Sequence, residues 1–324
     1  MNDIPVIDLE SQFEDSNAEL RIAQNISYAC ERIGFFAVSG HGVPEKIIEN
    51  CLEVSREFFS YDEVEKLKLK MPFKGYPYGF APMETETLSH SRGQQSPPDL
   101  KENFSVGPNL SIPSNISNEE ALFVFSKNQW PLIPKEFRRA WEAYYSAMSQ
   151  LSIRIMNLFA ISLNLPKDYF EEFIRCPISA LRANYYPVLE QSPLPSQMRA
   201  GAHSDYGSIT LLIQEEEFSG LEILNAKKKW IPVKPCKPKI IVNLGDLMQH
   251  WTNGRWMSTL HRVKVPDVNE KNNKTRVSLA FFQQPDWDAR IECIPTCLDP
   301  GEKSKYSIVT SGRYLMERFH STVL

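Results

Sequence analysis

From Ile178 onward the chain is written as short apolar segments set apart by turn residues, and this pattern restricts the fold most. The candidate strands are Ala180–Tyr186, Ser208–Gln214, Leu221–Leu224, Lys239–Leu244, Trp256–Val265 and Arg276–Gln283. Each is too short for a helix of ordinary length, and turn formers such as Asn253-Gly254 stand between them. Many short strands in succession bury their apolar faces in two facing sheets or in a closed barrel.

The first half reads differently. Ile4–Leu9 is a short strand, and Ile22, Ile26, Ala29 and Ile33 recur at helical spacing, which predicts a helix over 17–32. Gly34 ends it, Phe35-Phe36-Ala37-Val38 reads as a buried strand closed by Gly40-His41-Gly42, and a second helix covers 45–59. Between Lys74 and Pro108 an aromatic, turn-rich run (Gly75-Tyr76-Pro77-Tyr78-Gly79-Phe80) precedes a polar stretch with Pro97-Pro98. So long an irregular segment is either a lid or binding element or an exposed connection. Phe137, Trp141, Tyr144, Met148, Leu151, Ile155, Leu158 and Ser162 then mark one long helix stopped by Pro166, its aromatic stripe a packing face. The expectation is a mainly β protein with flanking helices: an N-terminal region (1–115), a helical segment (116–177) and a β core (178–324), forming one compact unit.

Composition narrows the function. A net charge of −4 on 324 residues gives no nucleic-acid footprint. No basic stretch leads into an apolar run at the start, and no apolar segment approaches the ~20 residues that span a bilayer. A cytoplasmic location without membrane contact is therefore expected. Cys30, Cys51, Cys176, Cys236, Cys293 and Cys297 form no CxxC pair and read as reduced thiols.

Chemistry concentrates in a few residues. On a strand, His203 and Asp205 share a face while Ser204 points away. His-x-Asp alone is a weak signal. His261, at the end of the run Trp256–His261, is the best third partner. His250, four residues after Asp246, is its nearest rival but sits better at a helix end; His41, His90 and His320 lack a comparable context. Two imidazoles and a carboxylate leave three positions open on octahedral iron(II), enough for a bidentate oxo-acid and dioxygen.

In Thr275-Arg276-Val277-Ser278, Arg276 and Ser278 face one way, with Ala280 and Phe282 beyond, while Val277, Leu279 and Phe281 form an apolar face. An inward guanidinium needs an anion, and its fork of donors suits the far carboxylate of a diacid; a surface arginine is the alternative. Arg182, Asn184 and Tyr186 likewise alternate together. Tyr186 is either a co-substrate partner or a packed core tyrosine, and Arg182 either reaches the substrate or forms a structural ion pair.

These motifs together resemble the iron(II)/2-oxoglutarate oxygenases related to isopenicillin N synthase and the plant flavonoid dioxygenases. The resemblance rests on Leu181-Arg182, Met198–Ser208, Asn243–Asp246, Trp256–Val263 and Arg276–Ser278, together with Ile4–Leu9 and Gly34–Pro44 near the start. It implies a double-stranded β-helix, or jelly roll, with His203, Asp205 and His261 as ligands of Fe(II). Arg276 and Ser278 would bind 2-oxoglutarate, helped by Tyr186 and Asn184, and dioxygen would be the other co-substrate. Within the family the chain looks closest to the thymine 7-hydroxylase type, on Pro98–Phe104, Arg199-Ala200-Gly201, Gly220–Ile223 and Gly312–Leu315. The resemblance places Arg182, Tyr206 and Phe282 at the substrate, and Tyr76, Phe80 and Phe104 are lid candidates. The chain departs from that type at Ala202 and in the 74–108 segment. The implied function is oxidation, most simply hydroxylation, of a small metabolite such as occurs in secondary metabolism, with release of succinate and carbon dioxide. An oxidase of the isopenicillin N synthase kind, needing no 2-oxoglutarate, a zinc hydrolase using the same ligands, and a ligand-binding jelly roll without catalysis are the alternatives.

Overall fold

The computed structural model describes residues 4–10, 17–215, 220–234, 238–266, 268 and 273–323. Its strands are β1 (Val6–Asp8), β2 (Phe35–Ser39), β3 (Gly79–Ala81), β4 (Glu102–Val106), β5 (Ala180–Tyr186), β6 (Ala200–His203), β7 (Ile209–Gln214), β8 (Leu221–Leu224), β9 (Trp230–Pro232), β10 (Ile240–Leu244), β11 (His261–Val263), β12 (Arg276–Gln283), β13 (Arg290–Ile291) and β14 (Val309–Thr310). The helices are α1 (Ala18–Arg32), α2 (Glu45–Ser60), α3 (Glu63–Leu67), α4 (Asn118–Ala121), α5 (Phe137–Ser162), α6 (Asp246–Trp251) and α7 (Ser311–His320).

An eight-stranded sheet in the order β1-β2-β10-β7-β12-β5-β4-β3 faces a four-stranded sheet, β6-β11-β8-β9, in a double-stranded β-helix. Strands from the first 115 residues extend both edges of the large sheet. Side-chain alternation decides what each face meets. On β12, Val277, Leu279 and Phe281 are fully buried with the helices α1, α2 and α5. The expected aromatic stripe of α5 packs there: Phe137 and Trp141 stack at 4.9 Å, and Phe104 meets both edge-on. Each such ring contributes about 1.5–3 kcal/mol by leaving water. The opposite face closes on the small sheet through a second apolar cluster that includes Phe35, Leu221, Ile223, Ile241 and Val263.

Two expectations need correction. The strand expected over Trp256–Val265 shortens to His261–Val263. Before it the backbone bonds to side chains instead of a ladder: Trp256 N–H donates to Thr252 Oγ1 at 3.2 Å and Ser258 N–H to Gln249 Oε1 at 2.8 Å. His261 therefore opens a strand rather than ending one. Strand β6 stops at His203, so Asp205 sits on the loop that follows. Cys30, Cys51, Cys176, Cys293 and Cys297 are free, and Cys236 lies outside the described residues. No helix among the described residues is long and apolar enough to cross a membrane.

Candidate metal centre

Strand register brings the two histidines together. β11 runs antiparallel to β6 with His261 directly opposite His203, and the ring centroids lie 4.3 Å apart. His203 Nδ1 is 2.7 Å from the Gly201 carbonyl and His261 Nδ1 is 3.1 Å from that of Thr259. A carbonyl only accepts, so each Nδ1 carries a proton and Nε2 is the ring atom left to ligate a metal. Burial, with the neighbouring His261 imidazole, pushes His203 down to about 3, which keeps it neutral.

Asp205 completes the group. Its Oδ2 accepts from Asn243 Nδ2 at 2.7 Å and from the Thr210 hydroxyl. Its Oδ1 is left facing the imidazoles, 3.8 Å from His203 Nε2 and 3.7 Å from His261 Nε2. Burial works to raise this carboxyl, but the two imidazoles and the two donors outweigh it and hold it below its ordinary range. The three donor atoms all lie within 4.8 Å of one another. A buried carboxylate facing two imidazole nitrogens is costly by several kcal/mol unless a cation joins them. Two nitrogen donors and one oxygen donor on one side fit iron(II).

The loop carrying Asp205 is clamped by backbone. Asp246 N–H donates to Asp205 O at 2.7 Å and Gly245 N–H to Ser208 O at 2.9 Å. A Cβ on Gly245 would stand 2.2 Å from Gly207 O, and one on Gly207 would stand 2.6 Å from Gln283 O. Both positions need glycine because backbone passes where a side chain would begin.

Register also assembles a cationic end. Across β12 and β5, Arg276 lies opposite Tyr186, Ser278 opposite Asn184 and Ala280 opposite Arg182. The Arg276 guanidinium stacks 3.8 Å from the Tyr186 ring centroid. Its Nη2 is buried and has no partner among the described residues. The residues His203, Asp205, His261, Arg276, Ser278, Asn184 and Tyr186 all line one cavity of about 170 Å³.

The structure separates the remaining site candidates into two groups. Arg182, Tyr206 and Phe282 line the same cavity. Tyr76, Phe80 and Phe104 do not. Phe80 and Phe104 sit opposite each other on β3 and β4 and point into the helix-covered core, where Phe58 meets both edge-on. Alternation on β4 turns Ser105 to the cavity in place of Phe104. Tyr76 is buried outside the cavity lining and bonds the Lys127 carbonyl. The long irregular segment still forms cavity wall, through Tyr78, Glu86, Leu88 and Lys101.

Sequence reasoning assigned no role to Thr210, Asn243, Glu86, Lys101 or Gln284. Asn243 carried a signal, as the one polar residue inside the apolar run Ile240–Leu244. Among the other histidines, His41 Nε2 meets Pro238 O at 3.0 Å and His250 stacks on Tyr306 at 4.3 Å; neither lines the cavity.

Known proteins resemble this chain along nearly its whole length. The model of the 2OG-Fe(II) oxygenase superfamily matches residues 177–285, and that of the non-haem dioxygenase in morphine synthesis N-terminal region matches 4–132. A homoarginine-6-hydroxylase of Oryza sativa subsp. japonica is 33% identical, over 96% of this chain and 92% of that protein. Validamycin A dioxygenase of Streptomyces hygroscopicus subsp. limoneus is 29% identical, over 97% and 85%. The full-length thymine 7-hydroxylase of Neurospora crassa, solved with alpha-KG, superposes with a TM-score of 0.84 at 28% identity, covering 98% of this chain and 95% of that one. With its sequence matched nearly end to end and its donors gathered in one cavity, the chain belongs to the 2OG-Fe(II) oxygenase superfamily.

Proposed function

We propose that His203, Asp205 and His261 hold the iron(II), and that Arg276 and Ser278 hold the far carboxylate of 2-oxoglutarate, in an enzyme that hydroxylates a small metabolite. One observation carries the reading: Arg276, whose buried Nη2 has no partner among the described residues, lines the same cavity as the three clustered donors. Iron(II) supplies the activation of dioxygen, coupled to decarboxylation of 2-oxoglutarate to succinate and carbon dioxide.

The chain's own residues have defined tasks. Gly201 and Thr259 carbonyls fix the imidazole tautomers, and Thr210 and Asn243 hold Asp205 so that a single oxygen faces the ion. Tyr186 carries the guanidinium over its ring and would help to hold its fork in place. Asn184 and Ser278, paired across the strands, offer hydrogen bonds beside it. Phe282 and Tyr206 with Arg182 would meet the substrate, and the apolar walls exclude water from the reacting end. The relatives' names span homoarginine, validamycin A and thymine, so kinship alone selects no substrate.

The test is an anaerobic titration of the iron(II)-loaded protein with 2-oxoglutarate. A visible iron–keto-acid charge-transfer band, and succinate release once air is admitted, are expected. Absence of both would point to an oxidase that grips a substrate carboxylate with Arg276 instead.

A further inference from the structure

The end of the cavity away from Arg276 carries charge of a different kind. Glu86, Asp99 and Lys101 are 4%, 2% and 3% exposed, and they form one chain of charges that reaches Arg182 through Glu86. Arg182 Nη1 donates to Glu86 at 3.1 Å and its Nε to Ser105 Oγ at 2.9 Å. Lys101 Nζ lies 2.6 Å from Glu86 and 3.9 Å from Asp99. Asp99 in turn accepts from the Gly201 and Leu88 backbone N–H groups at 2.9 and 3.3 Å. Burial works to raise Glu86, but Arg182 and Lys101 hold it at about 2, so it stays ionised.

Two cations and two carboxylates therefore balance within the wall. Arg182 keeps its hydrogen-bonding capacity toward the cavity, but its charge is already answered. Gln284 adds a second polar contact. It follows Arg276, Ser278, Ala280 and Phe282 on the inward face of the β12 line and lines the cavity. The residue is 3% exposed, and its Oε1 has no partner among the described residues. Around these groups the wall is apolar, formed by Phe123, Ile178, Phe282, Leu315 and Phe319.

We infer that Glu86 and Gln284 set the substrate class: the chamber admits an uncharged molecule on an apolar frame, with an acceptor for Arg182 and a donor for Gln284. The inference rests on the reading of this cavity as the catalytic chamber. A carboxylate substrate would meet a guanidinium whose charge Glu86 has cancelled, and an ammonium would meet Arg182 and Lys101 without a free anion. Each would lose its hydration without compensation. Glu86 is a positioning and selecting residue, acting through Arg182.

The experiment compares three probes on one ring frame, benzamide, benzoate and benzylammonium, with the iron(II)- and 2-oxoglutarate-loaded enzyme under anaerobic conditions. Binding is read by calorimetry and by perturbation of the charge-transfer band. Benzamide should bind at least about tenfold more tightly than either ion, the scale of one uncompensated buried polar group. Glu86→Gln should shift the benzoate-to-benzamide ratio about tenfold toward benzoate, and Gln284→Leu should weaken benzamide about tenfold while sparing benzoate. Gln284→Leu keeps the test available if loss of the buried carboxylate prevents Glu86→Gln from folding. A charged probe binding best, no probe binding, or ratios unchanged in the folded variants would overturn the inference. Loss of the band with discrimination intact by calorimetry would instead strike the iron and 2-oxoglutarate reading alone.

Discussion

At one end of the cavity Arg276, Ser278, Asn184 and Tyr186 stand on adjacent strands whose register sets them side by side. At the other, Tyr78, Glu86, Leu88, Phe123 and Leu315 arrive from irregular segments and the C-terminal helix. The first end leaves a buried guanidinium nitrogen without a partner among the described residues, whereas the second cancels its charges internally. A ladder fixes every inward side chain once one pair is aligned, so the strand-built end suits a constant co-substrate. Irregular segments carry no such constraint, and they suit a substrate that differs from relative to relative.

The contrast can be broken experimentally, most severely at the metal. Asp205→Ala removes the one carboxylate among the three donors and should abolish both iron retention and turnover, as measured by metal content and succinate release. Full iron-dependent activity in that variant would remove the basis for the two-ended cavity. Arg276→Leu should raise the 2-oxoglutarate requirement by about 10–100-fold while iron binding persists, since a charge-assisted bond contributes about 1.5–3 kcal/mol. Unchanged co-substrate kinetics would mean that the strand-built end serves another ligand.

Asn243→Leu sharpens the comparison at its boundary. It frees Asp205 Oδ2 from one of its two donors. Iron affinity should fall by about tenfold, the low end for a lost outer hydrogen bond, with the 2-oxoglutarate requirement little changed. A competition titration with a metal chelator reads this directly. The smallest effect on the site is expected from Phe104→Ala, which lies on the core side of β4. It should cost about 3–5 kcal/mol of stability by chemical denaturation and leave 2-oxoglutarate kinetics unaltered. A large change in substrate selectivity would restore Phe104 to the cavity.

Legibility followed the same division. Periodicity placed β5 and β8 at their observed bounds, and alternation on β12 separated Arg276 and Ser278 from Val277 and Leu279 correctly. The metal donors were readable as residues, but the reason offered for two of them was incomplete. His203 and Asp205 do not share a strand face; a glycine-clamped loop brings Asp205 round. The aromatic run near Tyr76 looked like a lid because composition cannot say which way a ring turns. Phe80 went to the helix-covered core, while Glu86 and Lys101, polar residues in a polar stretch, were buried by partners distant in sequence. Only three-dimensional pairing separates such residues from solvated ones.

The backbone around Glu86 also pairs with the far end of the described chain: Glu86 bridges to Val323, and Thr87 N–H donates to Thr322 O at 2.9 Å. During synthesis, then, the clustered donors and Arg276 are made before the C-terminal segment that completes this wall. A polypeptide cut short ahead of Ser311 would keep its strand-built half yet leave the chamber unsealed, and it should burn 2-oxoglutarate without delivering the oxidation to anything.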